Sequence, residues 1–97
     1  MPTFEWLGRF RADFDRLSPA QQAAFLLAVR QLVADLAEDR PLRKGLRVKG
    51  VQGAKGIFEM TWAPDGRATF EYGDEAVEGE AHVMWRRIGT HAIFSRP

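Results

Sequence analysis

The first part of the sequence places apolar residues at helical spacing. Between residues 7 and 17 they recur every three or four positions, which predicts an amphipathic helix. These positions are Leu7, Phe10, Phe14 and Leu17. Just before them, the segment "TFEW" alternates Phe4 and Trp6 with polar residues, and this alternation predicts a short edge strand.

A second helix has a clearer start. In "LSPAQQ", Ser18 is a candidate N-cap, Pro19 takes the first helical position and Gln21 completes a capping box. An apolar stripe then runs from Phe25 to Leu36, so we expect a helix from about residue 19 to residue 38 that ends before the proline at position 41. Two consecutive amphipathic helices form a helical hairpin, which needs an apolar surface to pack against.

The second half of the sequence changes to a period of two. The alternating segments are "LRVKGV", "GIFEMTW", "RATFEYG" and "HVMWRRIG". No helical pattern lies between them, so the sheet they form should be antiparallel. We therefore predict one α+β domain over residues 1–97, with the N-terminal helical hairpin packed on one face of an antiparallel sheet of four to five strands.

The turn "APDG" predicts a register for the central hairpin. Pro64 and Asp65 suit the centre of a type I turn, and Gly66 suits a left-handed position that completes a three-residue loop with a bulge. The predicted pairs are Ala63 with Arg67, Thr61 with Thr69, and Glu59 with Glu71. In that register two carboxylates face each other, so a nearby arginine or lysine must offset their repulsion.

The same alternation separates two faces of the sheet. The face predicted to lie against the helices carries Phe58, Met60, Trp62, Ala68, Phe70 and Tyr72. The opposite face, called the open face below, carries Glu59, Thr61, Arg67, Thr69 and Glu71. No predicted helix covers the open face. It is either a ligand site or a solvated antiparallel face tied by salt bridges, which is common.

Charge is unevenly distributed although the formal net charge is only +1. Residues 40–67 carry seven Lys and Arg against two acids, and residues 82–97 carry three arginines and no acid. Residues 68–81 carry five acids and no base; their segment "GDEAVEGE" reads as a flexible turn. If the two basic regions meet in space they form a positive surface that suits a polyanion. The alternative is scattered charge on a solvated face.

Several classes of protein are excluded or disfavoured. The sequence contains no cysteine, which excludes disulfides, thiol chemistry and a thiolate metal site. No apolar run approaches the roughly 18 residues of a membrane span, and "MPTFEWLGRF" lacks a signal-peptide layout. We expect a cytoplasmic protein with no membrane partner.

The order of these motifs resembles the RelE/ParE toxin superfamily of bacterial toxin–antitoxin systems. An early helical hairpin is followed by "GLRVKGVQGAKGIFEMTWAPDGRATFEYG" and then by "VMWRRIGTHAIF". The resemblance spans nearly the whole chain. It implies a compact α+β fold, a cognate antitoxin in a hetero-oligomer, and ribosome-dependent cleavage of mRNA. In such members the RNA 2′-hydroxyl attacks the adjacent phosphate without a metal or other cofactor.

The resemblance also implies roles for particular residues. The family's phosphate-contacting arginine, at the start of the strand after the turn, maps onto Arg67. Its basic residue just after the glycine of the last strand maps onto His91, and histidine suits proton transfer near neutral pH. Some relatives pair a glutamate with a histidine, so the predicted catalytic set is Arg67, His91 and Glu59. The predicted RNA or phosphate contacts are Arg47, Lys49, Lys55, Arg86 and Arg87.

Two departures from the family pattern keep other functions open. Glu59 and Thr61 stand where RelE has lysines, and Phe94 stands where many members have a catalytic tyrosine. The one tyrosine, Tyr72, is predicted to lie in the core. The alternatives are a ParE-like toxin that inhibits DNA gyrase by binding, and an inactive relative kept as a binding module. We predict a structural role for His82. The antitoxin could dock on the long helix or on the basic open face.

Overall fold

Two helices and five strands make up the fold in the computed structural model, which describes residues 1–97 throughout. In chain order they are β1 (Thr3–Trp6), α1 (Gly8–Asp15), α2 (Pro19–Ala37), β2 (Lys49–Gly50), β3 (Phe58–Ala63), β4 (Gly66–Tyr72) and β5 (His82–Gly89). Short 3-10 helices cover Lys44–Leu46 and His91–Ser95. The predicted α+β class, with a helical hairpin followed by a sheet, is confirmed.

Helix α2 begins as its sequence predicts. The Ser18 hydroxyl accepts a hydrogen bond from the Gln21 main-chain N–H at 3.2 Å, and the Gln21 side chain accepts one from the Ser18 N–H at 2.8 Å. Pro19 occupies the first turn, where its missing N–H costs nothing. This capping box satisfies two of the N–H groups that the start of a helix leaves unpaired.

The sheet has the strand order β1-β5-β4-β3-β2. All neighbours are antiparallel except β1, which runs parallel to β5, so the expectation of a fully antiparallel sheet is wrong for this edge. The chain leaves β1 through both helices and reaches β5 only after three other strands, and such a crossover allows parallel pairing. The His82 ring fixes this edge, since it contacts the Thr3 hydroxyl at 2.7 Å and the Glu5 carboxylate at 2.9 Å. These contacts agree with the structural role predicted for His82.

Aromatic rings join the helices to the sheet. Phe10 of α1 and Phe25 of α2 are fully buried, and their ring centroids lie 5.4 Å apart. Both meet Trp85 of β5, at 5.8 Å and 5.1 Å, and Trp85 meets Phe70 of β4 at 5.2 Å. Each such pair contributes about 0.5–1.5 kcal/mol beyond the area it buries. The helices are thereby fixed to the predicted face of the sheet.

The central hairpin has a different register from the predicted one. Thr61 lies opposite Arg67, and Glu59 lies opposite Thr69, so the strands are shifted by two residues and no pair of glutamates forms. The φ angle of Gly66 is not positive, which contradicts the predicted left-handed turn position. A Cβ on Gly66 would lie 2.7 Å from the Trp62 ring. Glycine is required here because the indole packs on its backbone, and the irregularity falls between Thr61 and Ala63 instead.

The segment "LRVKGV" forms less strand than its alternation predicts. Only Lys49–Gly50 pairs with β3. Leu46 belongs to a 3-10 helix and is 2% exposed, and Arg47 adopts the left-handed conformation with φ 50°. Leu46 still contributes to the core, as predicted, but the chain reaches it by a turn rather than by an extended strand.

Strand β5 contains a register shift next to Arg86. Thr69 pairs with Arg87, whereas the next residue of β4, Phe70, pairs with Trp85. Arg86 is therefore the extra residue of a β-bulge, and both arginines reach the open face rather than only one of them. Trp85 and Ile88 are both buried in the core.

The open face is not uncovered, contrary to the prediction. Arg96 and Pro97, called the closing segment below, fold back across β4 and β5, and the Thr69 hydroxyl donates to the Pro97 main-chain oxygen at 3.0 Å. Thr69 is fully buried as a result. Tyr72, predicted in the core, is 43% exposed because it lies at the end of β4, where its ring packs only against Phe58 and Phe70.

A buried carboxylate joins the end of α2 to the segment that leads to the sheet. Asp35 is 1% exposed and accepts hydrogen bonds from Arg40 and from both the side chain and the main-chain N–H of Arg43. The hydrogen bonds from Arg43 are the main cause that holds the pKa of Asp35 far below its usual range.

No helix is both long and apolar enough to cross a membrane.

Replacing Asp35 by asparagine should destabilise the protein strongly at neutral pH, because it leaves a semi-buried pair of arginines without its anion. We expect the melting temperature to fall on the order of 10 °C. Folding lowers the pKa of Asp35, so the ionised carboxyl stabilises the folded state. This contribution to the free energy of unfolding is complete above about pH 4 and is lost as the pH falls further and the carboxyl becomes protonated. Thermal melts should therefore show a difference between wild type and Asp35→Asn that shrinks below pH 4. The exposed Asp39→Asn is the matched control, and an equal loss in that variant would contradict the assignment.

Candidate functional site

Three strands and a 3-10 helix bring most of the predicted site residues into one cavity. It has a volume of about 350 Å³ and lies on the open face at the β2 side of the sheet. Its polar lining consists of Arg47, Lys49, Glu59, Thr61, Arg67 and His91. All three predicted catalytic residues therefore meet here, together with two of the five predicted phosphate contacts. This space is called the first cavity below.

Arg67 is held by the hairpin turn from which its strand starts. Its Nη1 donates to the main-chain oxygens of Ala63, Pro64 and Gly66 at 3.3, 3.2 and 3.0 Å. Neither Nε nor Nη2 has a hydrogen-bond partner in the protein. The guanidinium is thus fixed through one nitrogen, and two others remain available to bind the oxygens of an anion.

Glu59 and Lys49 face each other across β2 and β3. The Lys49 Nζ lies 3.8 Å from a Glu59 oxygen, at the long limit for an ion pair. The lysine side chain is 71% exposed, whereas that of Glu59 is 13% exposed. The carboxylate is therefore largely buried in the lining of the first cavity, while the exposed ammonium can turn toward an anion.

His91 contacts an acidic partner that the sequence analysis assigned only to a turn. Its Nδ1 lies 2.5 Å from Asp65 Oδ1, and this hydrogen bond is the main cause that lowers the pKa of Asp65, with smaller contributions from the charges of His91 and Arg67. A carboxylate on Nδ1 leaves Nε2 as the free nitrogen of the ring. Asp65 could have been found from β-sheet register, because Arg67 pairs with Gly89, and this places the turn beside the residues that follow β5.

Left-handed backbone at Arg47 brings a further cation to the site. The residue follows the 3-10 helix whose Leu46 is buried, and its φ of 50° turns the chain back toward β3. Arg47 lines the first cavity together with Arg67. A non-glycine residue in this conformation costs about 1 kcal/mol or more, which the burial of Leu46 offsets.

Three predicted phosphate contacts lie outside the first cavity. Lys55 is exposed in the loop between β2 and β3. Arg86 and Arg87 line a different cavity and already have carboxylate partners: Arg86 pairs with Glu71, and Arg87 with Asp13 of α1, each at 2.6 Å. The hypothesis that they share the His91 site is therefore wrong, because the bulge and the closing segment separate them from it.

No tyrosine takes part in the first cavity. Phe94 packs edge-on against His91, with the ring centroids 5.9 Å apart. Tyr72 lies at the other end of β4, where partial burial raises the pKa of its phenol. The side chains near the first cavity that could transfer a proton are therefore His91 and the carboxylates.

The contact between His91 and Asp65 should be visible in the titration of the carboxyl group. In wild type we expect the pKa of Asp65 to lie below its ordinary value, because ionised Asp65 is stabilised by the imidazole. His91→Ala should raise it toward about 3.9. Carbon-detected NMR titration measures this directly. His82→Ala removes the other histidine and should leave the pKa of Asp65 unchanged. A similar rise of this pKa in both variants would rule out a specific contact between His91 and Asp65.

Comparison with known proteins identifies the fold. No protein-family model and no curated protein sequence matches the chain. A copper-bound mutant toxin from Helicobacter pylori matches with a TM-score of 0.66 and 19% identity, over 95% of this chain and 97% of that chain. The YafQ structure in the DinJ-YafQ toxin–antitoxin complex of E. coli matches with a TM-score of 0.63 and 21% identity, over 94% of this chain and 93% of that one.

A third structure extends the comparison to a more distant sequence. The YoeB/ParE toxin from Agrobacterium tumefaciens matches with a TM-score of 0.64 at 11% identity, over 92% of this chain and 98% of that chain. These structures share almost their entire length with the protein, so no large element is added or missing. The protein has the fold of these bacterial toxins, as the sequence resemblance predicts.

Proposed function

We propose that the protein is the toxin of a type II toxin–antitoxin pair and a metal-independent endoribonuclease that cleaves mRNA on the ribosome. One observation carries the proposal: the first cavity combines an acid–base pair, Glu59 and His91, with the guanidinium of Arg67. The toxin fold supports the same class of activity. A purely binding surface has no need of a largely buried carboxylate beside a histidine held by a second carboxylate.

The reaction that suits this cavity is a transesterification within RNA, in which the phosphate exchanges its 5′-oxygen for the neighbouring 2′-oxygen. The 2′-oxygen loses its proton and attacks the adjacent phosphorus, forming a bond that closes a 2′,3′-cyclic phosphate. The bond between phosphorus and the 5′-oxygen breaks, and the departing oxygen takes up a proton. The step requires one base, one acid and cations for the charge that develops on the phosphate.

Glu59 and His91 supply the two proton transfers. Glu59 is the proposed base, because its largely buried side chain lines the cavity and an ionised carboxylate accepts a proton directly. His91 is the proposed acid, with Nε2 facing the leaving oxygen while Asp65 holds the ring through Nδ1. Phe94 packs against the ring of His91 and limits its rotation.

The cations stabilise the phosphate in the transition state. Arg67 presents two free nitrogens in a planar fork that matches two phosphate oxygens. Arg47 and Lys49 approach from the β2 side. Because three cations converge on a cavity with one carboxylate, the site favours a ligand with at least two negative charges or a charge-rich transition state.

Replacing His91 by glutamine should lower the cleavage rate about 10²- to 10⁴-fold, since glutamine keeps a hydrogen-bonding group but transfers no proton. Expression of wild type should arrest bacterial growth, and His91→Gln should relieve the arrest. Purified protein with translating ribosomes gives the rate directly. Arg30→Gln, an exposed arginine on α2, is the control and should remain toxic.

Arg67→Gln should lower the rate about 10²- to 10³-fold, because it removes a fixed cation from the developing charge. Arg67→Lys should recover only part of this loss, since an ammonium cannot bind two oxygens as a fork. Melting curves of both variants are needed as controls, because Arg67 also holds the hairpin turn. Full toxicity of both the His91 and Arg67 variants would overturn the catalytic assignment.

Mapping RNA 5′-ends after induction separates cleavage from inhibition by binding. New ends within translated codons, absent in His91→Gln, would support the ribonuclease. Growth arrest without new ends, accompanied by loss of gyrase activity, would support the ParE-like alternative. The absence of any growth effect would support an inactive binding relative.

A cognate antitoxin is the second part of the proposal. The YafQ structure in complex with DinJ gives a precedent for such a partner with this fold. We propose that an acidic segment of the antitoxin occupies the basic open face around Arg47 and Lys49. This would cover the first cavity and explain neutralisation without a change in the toxin fold.

Reversing the charge of Lys49 should weaken antitoxin binding, with most of the effect at low salt, because exposed charges are screened at high ionic strength. Calorimetry with the proposed acidic antitoxin as the ligand measures this affinity. Arg30→Glu, the matched control on α2, should bind like wild type. If Lys49→Glu also leaves the affinity unchanged, the antitoxin docks on the apolar surface that contains Phe4 and Leu26, which are 65% and 42% exposed.

A further inference from the structure

A second, larger cavity lies at the other end of the open face. Its volume is about 690 Å³, and it is bordered by the start of α1, the loop between β2 and β3, strand β5 and the closing segment. Four arginines line it, namely Arg9, Arg86, Arg87 and Arg96, and none of its lining residues is acidic. The catalytic roles proposed above use none of the four.

Two of these arginines carry charge that no carboxylate balances. Arg86 and Arg87 are neutralised by Glu71 and Asp13, and both also donate to main-chain oxygens of the closing segment. Arg9 and Arg96 are exposed and form no salt bridge or side-chain hydrogen bond. Among the side chains that line the second cavity, Arg9 and Arg96 therefore carry the positive charge that no carboxylate side chain balances.

Both cavities lie on the same face of the sheet, with the closing segment between them. Lys49, Glu59 and Arg67 line the first cavity from β2, β3 and β4, and Arg86 and Arg87 line the second from β5. With strands about 4.8 Å apart, β2 and β5 are separated by three spacings, or about 14 Å. At about 3.4 Å per nucleotide in a stacked strand, that distance corresponds to about four nucleotides. A single strand whose reacting phosphate lies in the first cavity can therefore reach the second.

We propose that the second cavity binds the phosphodiester backbone of the same RNA strand, a few nucleotides from the scissile phosphate, through Arg9 and Arg96. This inference rests on the proposed ribonuclease function and adds to it a distal backbone site. Arginine suits the site because its fork binds two phosphate oxygens and reads no base. The site lengthens the recognised strand without restricting its sequence.

Binding of RNA in which every 2′-hydroxyl is methylated tests the proposal, because such RNA cannot cleave itself. A trinucleotide fits only the first cavity, whereas an oligomer of about twelve nucleotides covers both. In fluorescence anisotropy, Arg9→Gln and Arg96→Gln should weaken binding of the longer oligomer and leave the trinucleotide unchanged. The slope of log K against log salt should decrease in magnitude by about 0.7 for each arginine that contacts a phosphate.

Arg30→Gln removes one exposed positive charge elsewhere and should leave the slope unchanged. If it reduces the slope equally, the effect is one of net charge and the proposal is overturned. The proposal also fails if Arg9→Gln and Arg96→Gln weaken the binding of both oligomers equally, or if they weaken the binding of neither. In the last case, lower affinity of these variants for the small ribosomal subunit would assign the cavity to a different RNA strand.

The outcome is separable from that of the proposed function. If wild type cleaves mRNA but Arg9→Gln and Arg96→Gln show no change in slope, only the distal site is wrong. If wild type neither cleaves RNA nor binds either oligomer, both the function and the distal site are wrong.

Discussion

The bulge at Arg86 is the constraint on which the arrangement of the open face depends. A regular β5 would alternate its residues strictly, and Trp85 and Ile88 could not both be buried in the core. The extra residue resolves this conflict and places Arg86 and Arg87 on the same face. Their guanidinium groups then hold the closing segment through its main-chain oxygens. The separation of the two cavities follows from that contact.

The position of His91 also depends on β5. After the bulge, β5 pairs its last residue, Gly89, with Arg67, so the chain leaves the sheet directly beside the β3–β4 turn. The Thr90 side chain accepts a hydrogen bond from the Ala92 N–H and starts the 3-10 helix. Ile93 anchors that helix by burial. His91 thus meets Asp65 because β5 ends beside the hairpin turn, and the 3-10 helix and that turn form one unit.

The sequence predicted the elements and the faces of the sheet much better than their pairing. Side-chain alternation has a period of two, so the two-residue error in the hairpin register kept every residue of β3 and β4 on its predicted face. The register itself depended on the Trp62 ring packing on Gly66, a tertiary contact without a local signal. The parallel pairing of β1 likewise arises from contacts between distant segments. Five predicted site residues, Arg47, Lys49, Glu59, Arg67 and His91, share the first cavity, whereas Asp65 needed the β4–β5 register to be found.

The parallel contact of β1 with β5 has a consequence for the timing of folding. The hydrogen bond between Thr3 and His82 joins residues 79 positions apart, and Trp85 of β5 completes the aromatic core beneath both helices. Contacts of such long range form late, since most of the chain must be closed into a loop first. A nascent chain without β5 has neither a covered core nor a positioned His91. The core is therefore covered, and His91 is placed beside Asp65, only after the last strand has been synthesised and has paired with both β1 and β4.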